Sequence, residues 1–103
     1  MEFDFSKVYA KDERAEINTG YFKSMVYPSI QSWGVDLYFP NFEKAPWQIQ
    51  CEINGAKVNI WPGSMKAHEE FTPIPAASGI REIIVLLYGL AEPTKEETFD
   101  VVE

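Results

Sequence analysis

Cysteine, histidine and basic side chains are what this chain has least of. Its 103 residues include one cysteine, one histidine, and nine Lys and Arg against sixteen Asp and Glu. A lone Cys51 cannot close an intramolecular disulfide, which fits a reducing compartment. One Cys and one His cannot supply a usual structural zinc set, and the run His68, Glu69, Glu70 lacks the second histidine of an HExxH site. No metal and no cofactor is expected. The net charge of −7 argues against direct nucleic-acid binding, because affinity for a phosphate backbone rests on Lys and Arg. An acidic surface suits a protein partner with a basic surface, or serves only to keep the chain in solution. The six glycines are scattered, so no glycine-rich phosphate cradle exists. Long apolar runs are missing as well. The longest, Ile83 to Tyr88, is far shorter than the roughly 20 residues that cross a bilayer. The opening MEFDFSK is acidic where a secretory signal needs a basic segment. The expectation is a cytoplasmic protein with no membrane partner.

What is present is a chain able to fold. Apolar residues make up 46% of it and aromatics 15%, while seven prolines keep the elements short. At this length one domain buries roughly 65% of its unfolded surface without metals or disulfides. We place that domain at residues 1–90, followed by an acidic C-terminal tail at 91–103 that carries five of the sixteen acids against one lysine.

The strongest local signal is Trp47 to Pro62, WQIQCEINGAKVNIWP. Asn-Gly favours a two-residue type I′ turn, whose central residues both need positive φ. A turn at Asn54 and Gly55 pairs Ile53 with Ala56, Glu52 with Lys57, Cys51 with Val58, Gln50 with Asn59, Ile49 with Ile60, Gln48 with Trp61 and Trp47 with Pro62. Alternation then gives one face to Ile53, Ala56, Cys51, Val58, Ile49, Ile60, Trp47 and Pro62, all apolar. The other face takes Glu52, Lys57, Gln50, Asn59, Gln48 and Trp61. Only Trp61 breaks the pattern.

Elsewhere the signals are shorter. Phe3, Phe5 and Tyr9 suggest a strand, residues 11–16 a turn or one helical turn, and Tyr21 to Tyr27, ending at Pro28, another strand. Residues 28–34 read as loop. Val35, Leu37 and Phe39 alternate with Asp36 and Tyr38, giving a strand that pairs with the hairpin and sets Tyr38 on the face of Trp61. Ser64 to Phe71 and the Thr72 to Pro75 stretch read as loop and extended chain. Ser78 is a good N-cap. Ile80, Ile83, Ile84, Leu87 and Tyr88 have the spacing of an amphipathic helix stopped by Gly89 and Pro93, although Ile83, Ile84 and Val85 also suit a strand. The expected fold is α+β: a mainly antiparallel sheet of about four strands, a central Asn-Gly hairpin, and one helix on its apolar face.

No catalytic residue is expected. Cys51 and His68 could form a nucleophilic pair only if the thiol left the apolar face, and no spacing joins two carboxylates in a cleft. His68 itself reads as a solvated loop residue. Trp61 is the candidate of interest: tryptophan is enriched among binding hot spots, and Tyr38, Glu52, Gln50 and Asp36 share its face as candidate partner contacts. The bland alternative is a Trp61 covered by the loop at 63–77 or by the N-terminal segment. Trp47 is read as core and Trp33 as part of a loop.

Short, acidic and aromatic-rich, with one cysteine and no catalytic motif, the chain resembles small proteins encoded by phages and prophages. The likeness is one of type. The run Lys57, Val58, Asn59, Ile60, Trp61, Pro62 and the later Gly79, Ile80, Arg81, Glu82 match no family signature, so no residue role is carried over. What the resemblance implies is origin in a mobile element. The expected function is a non-catalytic protein-binding accessory or inhibitor protein, directed against a basic nucleic-acid-binding host defence component of CRISPR or restriction type. The alternative is a small assembly protein that forms homodimers or larger self-assemblies through its apolar helix at 80–90.

Overall fold

In the N-terminal third, buried side chains recur at Ala15, Thr19, Phe22, Val26 and Ile30, the three- and four-residue spacing of a helix. The computed structural model, which describes residues 3–70 and 77–91, is helical over this region. Helix α1 (Glu13–Tyr21) starts where Asp12 Oδ1 accepts the Ala15 N–H at 2.8 Å, with Glu13 and Glu16 in its first turn facing the positive end of the helix dipole. It runs without a break into a π turn (Phe22–Val26) and then α2 (Tyr27–Ser32). In the π turn the Tyr27 N–H reaches back five residues to the Phe22 carbonyl. Pro28 follows directly in α2; lacking an N–H, it cannot donate back into the preceding turn, and the ladder departs from α geometry just before it. The strand expected at 21–27 is therefore wrong, and the loop expected at 28–34 is helical as far as Ser32. Aromatic content and Pro28 favoured extended chain, but the burial period prevailed. The N-terminal strand is also replaced, by a single 3-10 turn (Phe5–Lys7) capped when Asp4 accepts the Ser6 N–H. Its rings are used in packing instead: Phe5 meets Phe22 at 5.9 Å and Tyr27 at 5.0 Å, and Phe3 meets Phe39 at 4.8 Å.

Among the described residues, five strands form one antiparallel sheet whose spatial order follows the chain: β1 (Leu37–Tyr38), β2 (Ile49–Ile53), β3 (Ala56–Trp61), β4 (Lys66–Glu69) and β5 (Ala77–Ser78). The β2–β3 hairpin has the register read from Asn-Gly, from Ile53 opposite Ala56 to Ile49 opposite Ile60. Its turn carries positive φ at both Asn54 (49°) and Gly55 (86°), as a type I′ turn requires. β1 pairs with β2, as expected for the Val35 to Phe39 stretch, but only Leu37 and Tyr38 join the ladder. β4 lies where a loop was expected. It places a single apolar side chain, Ala67, on the inner face, so the stretch lacks the alternation that marks a strand. The Thr72 to Pro75 stretch and the tail beyond Ala91 lie outside the described residues.

The Gly79 carbonyl accepts the Ile83 N–H at 3.1 Å, which makes Gly79 rather than Ser78 the N-cap of helix α3 (Ile80–Ala91). Ser78 belongs to β5, and its N–H donates to the Glu82 carboxylate at 3.1 Å. Gly89 does not stop the helix. Ile83 and Leu87 are fully buried, whereas Val85 is 63% exposed. α3 lies against β5, the π turn and β2. Phe22, Val26, Ile30, Ile83 and Leu87 from the helices and Ile49, Cys51, Val58 and Ile60 from the sheet form one core. Burying a side chain of this size contributes roughly 1.5–3 kcal/mol. The molecule is thus α+β, with two helical segments among the described residues over the apolar face of the sheet where one helix was expected.

Candidate functional site

The other face of the sheet is built in rows. In the middle row Tyr38, Gln50, Asn59 and His68 lie side by side across four strands. The Tyr38 hydroxyl donates to Gln50 Oε1 at 2.5 Å, and the Gln50 amide donates to Asn59 Oδ1 at 2.7 Å. Gln48 donates to the same oxygen at 2.9 Å, and Gln50 also reaches Glu70 at 3.4 Å. Gln50 and Asn59 are therefore buried at 7% and 6% exposure, and among the described residues no buried side-chain polar atom lacks a partner. Each such bond adds about 0.5–1.5 kcal/mol, and losing one partner leaves a desolvated group behind. Gln50 spends its amide inside this network, so its place in any contact is to hold Tyr38 and Asn59 still.

The row nearer the Asn54-Gly55 turn is acidic. Glu52 faces Lys57, the Glu70 N–H donates to the Lys57 carbonyl at 2.7 Å, and Asp36 flanks Tyr38 in sequence. Asp36, Glu52 and Tyr38 are exposed. The row at the far end differs in charge: Trp61 lies opposite Lys66, and its ring stacks on His68 at 5.2 Å with 4° between planes. His68 is thus a strand residue under a tryptophan, not a loop residue in solvent. The stack leaves Trp61 half-buried.

Trp47 does not belong to the core. The β2 ladder begins at Ile49, two residues later, so strand alternation does not reach Trp47. The Gln48 N–H closes a turn onto the Ala45 carbonyl at 3.1 Å. Trp47 is 46% exposed and meets Tyr9 edge-on at 6.4 Å. Between these rings, Trp61 and the start of α1 lies a cleft of about 590 Å³, lined also by Lys11, Asp12, Arg14, Ala15, Asn18, Gly63 and Ser64. Three contacts hold its walls. The Tyr9 N–H donates to the Pro46 carbonyl at 3.0 Å, and Asn18 Nδ2 donates to the Gly63 carbonyl at 2.8 Å. A Cβ on Gly63 would come within 3.2 Å of the Ala15 Cβ, so a glycine there lets α1 approach the β3–β4 turn closely. Sequence reasoning missed this cleft because segments 9–18, 47 and 61–64 meet only in the fold. The one available signal was Trp61, the single aromatic residue of the hairpin that the core pattern left over, since Trp47 read as core.

Cys51 is fully buried on the inner face, and desolvation pushes its thiol up to about 12. Almost no thiolate exists there at neutral pH. Among the described residues no three His, Cys, Asp or Glu side chains group as a metal site, and no helix is long and apolar enough to cross a membrane. Comparison with protein-family models, with curated proteins and with solved structures finds no match for this chain.

Proposed function

We propose that this protein is a non-catalytic, protein-binding accessory or inhibitor protein that docks through the outer face of its sheet. The observation that carries this reading is the rigid polar network under an exposed Tyr38, with exposed Asp36 and Glu52 beside it. Side chains held still in advance lose little freedom on binding, and an aromatic ring among them supplies contact area at low entropic loss. The overall charge of −7 supports a partner with a basic surface, and acidic groups at the contact speed its encounter. The resemblance to phage-encoded proteins makes a nucleic-acid-binding host defence protein, of CRISPR or restriction type, the partner class we favour, with the cytoplasm as the place of action.

The test is affinity capture from a host lysate at low and high salt with the parent chain and the variants Tyr38→Ala, Trp61→Ala and Glu52→Lys. One basic partner held at low salt, weakened by salt and by Glu52→Lys, and lost with Tyr38→Ala, is the expected result. Capture indifferent to all three variants sinks the assignment of this face. A second reading, self-assembly through α3, draws on Val85, 63% exposed on that helix. Sedimentation separates the two, because a monomer at micromolar concentration excludes an obligate oligomer.

A further inference from the structure

The cleft beside Trp61 has a composition that neither the core nor the partner-binding face explains. Tyr9 and Trp47 remain 57% and 46% exposed. Exposed rings gathered around a concavity mark a place where a flat apolar group can be held between them. The volume of about 590 Å³ lies in the range of small-molecule sites and is too small for a folded partner.

Charge narrows the choice further. In a chain with nine basic and sixteen acidic residues, this lining holds two cations, Lys11 and Arg14, and one carboxylate, Asp12. Asp12 Oδ1 accepts the Ala15 N–H at 2.8 Å, which commits it to the first turn of α1. The side chains of Lys11 and Arg14 have no ionic or hydrogen-bonding partner among the described residues. A planar guanidinium and an ammonium left free in the same lining suit an anionic oxygen group.

We propose that the cleft binds a small ligand in which a flat aromatic or heteroaromatic ring carries a phosphate or a carboxylate. The ring lies against Trp47 and Trp61, and the anion meets Arg14 and Lys11. This goes beyond the partner-binding reading and does not depend on it. Rings of this kind stack on tryptophan without regard to their exact identity, so the anion and the walls together set the class.

Calorimetric titration and tryptophan quenching on the full chain test this with four probes: adenosine monophosphate, adenosine, indole-3-acetate and inorganic phosphate. Saturable binding of one anionic ring compound is expected, with adenosine and inorganic phosphate at least about tenfold weaker. Saturation by the nucleotide identifies phosphate as the anion, and saturation by indole-3-acetate identifies carboxylate. Arg14→Gln should weaken the anionic probe about tenfold and leave adenosine unchanged, whereas Trp47→Ala should weaken both. Both side chains are exposed, so neither variant should disturb the core, and thermal melts of each variant are the control for folding. Failure of both anionic ring compounds to saturate below about 5 mM, adenosine binding as well as its monophosphate, or an indifferent Arg14→Gln each overturns the proposal. Glu52→Lys, which tests the partner face, should leave probe binding intact, so the two readings fail separately.

Discussion

The two faces of the sheet are buried to similar depth by different forces. On the inner face Ile49, Cys51, Val58 and Ile60 are fully buried under the helices. On the outer face Gln50 and Asn59 are almost as inaccessible, but hydrogen bonds between side chains enclose them. Apolar packing is non-directional, so the inner face responds to changes in volume. A hydrogen-bond network is directional, so the outer face responds to loss of a partner even when volume is kept. The difference explains why a polar surface can be rigid enough to present Tyr38 in one place.

Ile60→Ala should have the largest effect, a loss of about 2–5 kcal/mol in chemical denaturation, because it opens a cavity among fully buried neighbours. A loss below about 1 kcal/mol would mean that the inner face is loosely packed. Asn59→Leu keeps volume on the outer face but strands the amide donors of Gln48 and Gln50, and should cost about 1–3 kcal/mol. Adding Gln50→Leu removes one of the two stranded amides but also takes the acceptor from the Tyr38 hydroxyl, so the double variant should cost less than the sum of the single ones by the share of the Gln50–Asn59 bond alone. A strictly additive pair would show that the network is not a unit.

Cys51 tests the inner face through pH. Its folded thiol titrates at about 12 against a reference of 9.0, so the native state holds the proton after the unfolded chain has lost it. The stability due to this burial is complete below pH 9, declines as pH rises, and is gone by about 12. Relative to Cys51→Ala, the parent chain should lose about 1 kcal/mol per pH unit across that window, read from denaturation curves at each pH. Parallel curves would place the thiol in contact with water. The smallest effect belongs to His68→Ala, which removes the ring under Trp61 and should cost roughly 0.5–1.5 kcal/mol while increasing the exposure of Trp61 to quenchers.

The hairpin was legible because Asn54-Gly55 fixes a turn, the turn fixes register, and register assigns every side chain to a face. The α+β class and the β1–β2 pairing follow from the same reasoning. The helical run from Glu13 to Ser32 was obscured by local preference, since Tyr21, Phe22, Val26 and Tyr27 favour strands when considered alone. The spacing of Phe22 and Val26 with Ala15, Thr19 and Ile30 held the better signal, because burial overrides propensity. β4 escaped because Lys66, His68 and Glu69 lack alternation, and with it went the stack of His68 on Trp61. Trp47 was misplaced by extending strand alternation past the end of the ladder. Which of the candidate contacts Trp61, Tyr38, Glu52, Gln50 and Asp36 are reachable depends on depth, which register alone does not give.

Strand order in this sheet is the same as chain order, from β1 through β5. Each strand therefore finds its partner across a short stretch of backbone, and the β2–β3 hairpin needs only a two-residue loop to close. Such pairings form on the microsecond scale, well before the slower search by which distant segments meet. The arrangement lets the sheet assemble from the Asn54-Gly55 turn outward during synthesis, with α3 the last described element to emerge and seal it.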